Sequence, residues 1–206
     1  MNAKQRSSTR RPSPGRPEIT SHADIEAAAF KLFAKKGFER TTLDDIATAL
    51  GVSRRTLFRY YASKNDIPWG QFDKTLDYFR EIFANTPPEI PLAEAVQRAV
   101  LAFNDFPDDA QPSHRARMQL ILETPALQAH SMLRYAEWRQ VIADYVAARL
   151  EVDASELIPR LAGAVCLALA VTSYEAWLAD PSADLQSLLT RSLEGLRIYL
   201  ETEPRP

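Results

Sequence analysis

Cysteine occurs once in 206 residues, at Cys166, so no internal disulfide can form and no thiolate cluster can hold a metal. A chain so poor in cysteine suits a reducing compartment, and a cytoplasmic location is the expectation. Long apolar runs are missing too. The most apolar stretch, "LAGAVCLALAV" at 161–171, stops at Thr172, Ser173 and Glu175, whereas a membrane span needs about 20 residues. It reads as a buried helix, with no membrane partner. The basic start, "MNAKQRSSTRRPSPGRPE", lacks the apolar core of a secretory signal. No stretch alternates like a strand between turn signals, and there is no internal repeat. His114 and His130 have no serine, cysteine or carboxylate at a spacing that makes either a catalytic base motif, so neither an enzyme, a cofactor nor a metal is expected.

What is present is unevenly placed charge. Residues 1–64 carry 13 Lys and Arg against 6 Asp and Glu, whereas residues 65–206 carry 12 against 21. A basic front on an acidic remainder implies one polyanion-binding end on a solubilised body. Residues 1–19, rich in Ser, Pro and Arg without apolar periodicity, form a basic arm expected to be disordered. Its Arg10, Arg11 and Arg16 suit a narrow A·T-rich minor groove.

Helix signals begin at Thr20 or Ser21, either able to cap a helix whose Ile25, Ala28, Ala29, Leu32 and Phe33 share a face, with Gly37 as a left-handed stop. Thr42 and Asp45 form a capping-box-like start to a short second helix with Leu43, Ile46, Ala47 and Leu50 inward, stopped by Gly51. Ser53 caps a third helix after only a Gly-Val link, and Ser63 can cap a fourth. Two short helices joined by about three residues with a glycine have helix-turn-helix spacing. Beyond this unit, 20–66, the periods stay helical, near 64–84, 91–105, 113–123, 126–149, 155–179 and 182–201. The fold expected is all-α.

On the third helix Leu57 and Tyr61 face inward with Val52, leaving Arg54, Arg55, Phe58 and Arg59 outside. Arginine forks match a guanine edge and Phe58 a thymine methyl, while Tyr60 and Lys64 can reach phosphates. Residues at the start of such a helix enter the major groove, which selects Arg54, Arg55 and Thr56 as base readers of a double-stranded operator. Thr42 can aim its hydroxyl and amide at a phosphate.

The stretch "LFAKKGFERTTLDDIATALGVSRRTLFRYYASKNDI" resembles the DNA-binding domain of TetR-type bacterial regulators at Gly37-Phe38, Thr41-Thr42, Ile46-Ala47, Gly51-Val52-Ser53, Thr56-Leu57 and Ser63-Lys64. The resemblance implies a homodimer with three DNA-binding helices and about six more, some nine in all, that build the ligand pocket and dimer interface over 67–206. It puts base contacts at Arg54, Arg55 and Phe58, and phosphate contacts at Thr42, Tyr60 and Lys64. Phe58 stands where many relatives have tyrosine, and Tyr61 where phenylalanine is common. "SKNDIPWGQFD", "AFNDFP" and "SYEAWLAD" resemble the mycofactocin-system regulators more narrowly, implying control of a cluster that makes a peptide-derived redox cofactor.

The larger unit has many aromatics, most of them core. The resemblance makes part of that volume a pocket for a small hydrophobic effector, with long-chain acyl-CoA as the type example. Candidate contacts are Phe103, Met118, Leu122, Trp138 and Trp177. His130 and Arg134, four apart with Glu137 near, can fix an anionic head group, or else form an ordinary surface ion-pair set. The apolar last two helices call for a second copy. The competing reading is an all-α lipid-binding protein or enzyme using the same pocket.

Overall fold

The computed structural model describes residues 20–107 and 109–201, so the basic arm with Arg16 lies outside the described residues. Among these residues there are nine α-helices and no strand. Ser21 caps α1 (His22–Lys36) and Thr42 caps α2 (Leu43–Leu50), each through a reciprocal capping box with the aspartate three residues on. Gly51 closes α2 in the left-handed conformation, φ 66° and ψ 27°. Gly37 ends α1 at φ 82° and ψ 154°, a positive φ but not the left-handed helical cap expected.

α3 (Arg54–Leu57) is shorter than expected, because the chain tightens into i→i+3 hydrogen bonds after Leu57, with Arg59 N donating to Thr56 O at 3.2 Å and Tyr60 N to Leu57 O at 2.9 Å. The single helix expected over 64–84 is also divided. Lys64–Trp69 forms a 3-10 helix containing Pro68, Gly70 turns at φ 62°, and α4 (Phe72–Ala84) starts afresh. Proline removes an amide donor and a positive φ is costly for any residue but glycine, so an unbroken helix is excluded there. Ser63 makes no helix cap and instead donates to Asp66 at 2.7 Å.

α5 (Leu92–Phe103), α6 (His114–Glu123), α7 (Pro125–Leu150), α8 (Leu157–Ala179) and α9 (Leu185–Glu201) follow the expected periods within a few residues. Three cores result. Ile25, Phe33, Ile46, Leu57 and Tyr61 centre the N-terminal unit, and Ile67 and Leu127 of α7 are buried in it as well. Phe72, Phe79, Phe103 and Trp138 centre a core of α4, α5 and α7, while Met118, Ile121, Tyr174 and Leu189 centre one of α6, α8 and α9. The expectation of a buried 161–171 segment needs correcting. α8 is long and apolar enough to cross a membrane, yet it packs on α7 and α9 by one face, with Gly163, Cys166 and Ala170 inside and Leu161, Ala164 and Ala168 exposed.

Candidate DNA interface and effector cavity

Ser53 accepts from Thr56 N at 3.2 Å and so fixes the start of the recognition segment, presenting Arg54, Arg55 and Phe58 to solvent together. Phe58 is 47% exposed, and the Arg54 guanidinium lies 5.4 Å from its ring centre while pairing with Asp44 at 3.5 Å. Arg55 and Arg59 are exposed and make no ion pair among the described residues. An arginine over a ring, with two further exposed arginines on the same segment, is the donor-rich edge that a major groove accepts.

The remaining DNA candidates are engaged inside the protein. Thr56 Oγ1 lies 2.9 Å from Ser53 Oγ, within the cap. Thr42 directs its amide and hydroxyl, both at 2.8 Å, to the Asp45 carboxylate. Asp45, bonded foremost to Lys36 and then to Thr42, is held down to about 2. Tyr60 donates to Thr20 O at 2.6 Å and tethers the entrance of α1. Lys64 donates to Phe38 O at 2.8 Å and Thr41 O at 3.0 Å over the Phe38 ring, and burial lowers its ammonium below the usual lysine range. It clasps the α1–α2 connection, so its charge is already satisfied by carbonyls.

The ligand candidates divide differently. A cavity of about 350 Å³ lies between the two C-terminal cores, lined by Phe103, Met118 and Trp138 as expected, with Trp69, Phe72 and Tyr174. Leu122 packs in the α6–α8–α9 core without lining it, and Trp177 lines an adjoining hollow instead. His130 and Arg134 are not at its mouth. Both bond Asp66 Oδ1, at 2.9 and 3.1 Å, and so fasten α7 to the 3-10 helix under the DNA-binding unit. Burial alone would raise the Asp66 carboxyl, but hydrogen bonds from Ser63, Arg134 and His130 outweigh it and hold it low.

Sequence reading missed a second fastener. Glu26 of α1, 8% exposed, accepts from Tyr61 OH and from Arg117 Nη2 of α6, both at 2.5 Å, while Arg117 Nη1 donates to Pro68 O at 2.6 Å. Burial, then the Glu26 bond, pushes the Tyr61 phenol upward, which keeps it a donor. Glu26 and Arg117 also line the cavity. The only local hint was an acid beside the apolar stripe of α1, and its partner lies 91 residues away. Asn104, His114 and Tyr174, a hydrogen-bonded set on the cavity wall, were likewise not singled out for the cavity from sequence.

A three-helix helix-turn-helix unit fastened through a buried ion pair to a helical domain with a partly open cavity defines a one-component transcription regulator. Residues 25–67 match the family described as bacterial regulatory proteins, tetR family, and residues 90–201 match the MftR C-terminal domain. The chain belongs to the TetR family of transcription regulators. It is 45% identical over 175 residues, 85% of this chain and 88% of the other, to MftR of Mycobacterium tuberculosis, described as a mycofactocin biosynthesis transcriptional regulator. Two solved structures share the fold. The fatty acid degradation regulator FadR of Bacillus halodurans is 18% identical with a TM-score of 0.63, covering 88% of this chain and 97% of that one. FadR of Bacillus subtilis in complex with stearoyl-CoA is 20% identical with a TM-score of 0.59, covering 85% and 97%.

Proposed function

We propose that the chain is a homodimeric repressor of a mycofactocin biosynthesis cluster, released from its operator by a hydrophobic effector of the long-chain acyl-CoA type. The observation that carries the effector half is the Glu26–Arg117 pair, which belongs at once to the cavity wall and to the DNA-binding unit. An occupant that shifts Arg117 acts directly on α1 and, through Tyr61, on the end of the recognition segment. The energy for release is the effector's differential affinity for the two arrangements. The target follows from the likeness to MftR, and the acyl-CoA class from the Bacillus subtilis FadR complex. A cytoplasmic location goes with this reading, since the operator lies there.

Two recognition segments on one duplex must meet successive major grooves about 34 Å apart. The exposed stripe Leu157, Leu161, Ala164 and Ala168 on α8 supplies the apolar face for a second copy. The test is binding to DNA upstream of the protein's own gene cluster. Affinity is expected to fall with salt at a log–log slope of about 0.9 per phosphate neutralised. Arg55→Ala is expected to cost about 1–3 kcal/mol and to relax preference at one base pair, and stearoyl-CoA is expected to release the complex. Equal binding to unrelated DNA would end the operator reading, and a complex indifferent to stearoyl-CoA would end the effector class.

A further inference from the structure

Residues 1–64 hold six acidic residues among 13 basic ones, and most of the six have work in the fold. Glu18 lies outside the described residues. Asp24 and Asp45 close the capping boxes of α1 and α2, and Glu26 is the buried fastener. Glu39 acts on the Lys64 ammonium. Asp44 is left. Its side chain makes no hydrogen bond among the described residues, it is 69% exposed, and its one ion pair there is with Arg54 at 3.5 Å, from the first turn of α2 across to the start of α3. The α2 dipole favours an acid in that turn, but Asp45 already supplies one.

On the face that an operator meets, a carboxylate weakens affinity, since it repels phosphates. What it supplies is direction. Arg54 has Asp44 on one side and the Phe58 ring on another, 5.4 Å from the guanidinium, whereas Arg55 and Arg59 make no ion pair among the described residues. Arg54 approaches the carboxylate through Nη1, which leaves the rest of its fork for the O6 and N7 acceptors of a guanine. A surface pair of this kind contributes little to stability in water. Between protein and groove, where water is excluded, the same pair strengthens, and an arginine already aimed loses less side-chain freedom on binding.

We infer that Asp44 is a specificity determinant of operator recognition, a positioning residue that aims Arg54 at the guanine of one G·C pair. This rests on the operator reading and deepens it. Where Arg54 finds no guanine, the acid meets phosphates and base acceptors with nothing to offset the repulsion. Discrimination therefore rises while raw affinity falls.

The test measures binding of the full chain, by fluorescence anisotropy, to DNA upstream of its own gene cluster, to single-base-pair variants of that DNA and to unrelated DNA. Arg54→Ala locates the G·C pair that Arg54 reads, as the position where preference is lost. Asp44→Asn is expected to bind unrelated DNA about twofold tighter, yet to lose about fivefold of the preference at that same pair. In the Arg54→Ala background it is expected to change that preference no further. Glu39→Gln removes the same charge from the unit without touching Arg54, and is expected to keep the preference. Asp44 and Arg54 are both exposed, so their substitution leaves the cores intact. Full preference in Asp44→Asn, a loss that persists without Arg54, an equal loss in Glu39→Gln, or no preference lost in Arg54→Ala overturns the inference alone. A parent protein that binds every sequence equally overturns the operator reading with it.

Discussion

Glu26 takes its two strong donors from opposite sides of the domain seam, Tyr61 from the DNA-binding unit and Arg117 from α6. Removing one partner leaves a nearly buried carboxylate under-paired, which costs more than the pair itself contributes. Arg117→Ala is expected to lower stability by about 3 kcal/mol in urea titration, and Arg117→Lys to restore only part, because an ammonium cannot fork between Glu26 and Pro68 O. His114 gives a residue-scale pH dependence. Held neutral to about 3 in the fold against an ordinary 6.5, it binds a proton more readily in the unfolded chain. Stability is therefore complete above pH 6.5 and falls as pH drops from 6.5 towards 3. His114→Phe is expected to flatten that part of a stability–pH curve, and an unchanged slope would count against a neutral buried imidazole.

Among the elements, the seam between α7 and α8 depends on a missing side chain. A Cβ placed on Gly163 would lie 2.6 Å from the Arg139 carbonyl oxygen, so the backbones approach more closely than any other residue permits. Gly163→Ala is expected to push α8 off α7 and cost about 1–3 kcal/mol, read as a lower midpoint in urea. Gly70 marks a second such place, with positive φ and with Arg117 Nη1 and Glu26 Oε1 at 3.2 and 3.3 Å from its would-be Cβ. The break that divides the expected helix over 64–84 is thus also where the Glu26–Arg117 fastener sits. Capping boxes and glycine stops were legible because they act within a few residues. The Pro68–Gly70 break was readable in principle, but the helical period on both sides outweighed it.

At the scale of the molecule, α8 and α9 bury one face and leave another bare. Leu157 is 74% exposed and Leu161 50%, while Tyr199 and Leu200 of α9 exceed 70%. Apolar area of this kind on two adjacent helices is what a paired bundle covers. Leu161→Glu places a charge in the centre of that face. It is expected to sediment as a monomer at micromolar concentration and to lose most operator affinity while keeping its helical circular dichroism. A dimer that persists would move the interface elsewhere.

The sequence by itself determined the all-α class, the helix-turn-helix spacing and the exposed Arg54, Arg55 and Phe58, because caps, glycine stops and apolar periods are written within one or two turns of chain. Phe103, Met118 and Trp138, large apolar residues on inward stripes, do line the cavity. Only the tertiary structure decided which polar groups are free. Thr42, Tyr60 and Lys64 have the chemistry of phosphate contacts, yet each is satisfied by a partner the fold brings to it, at separations of 3, 40 and 26 residues. His130 and Arg134 went to Asp66 for the same reason. Glu26 with Arg117, and His114 with Tyr174 and Asn104, gain their roles from neighbours 60 to 91 residues distant. A local pattern sets the backbone, but whether a charged or polar side chain is spent or left for a ligand is fixed by desolvation and by the partners that packing supplies.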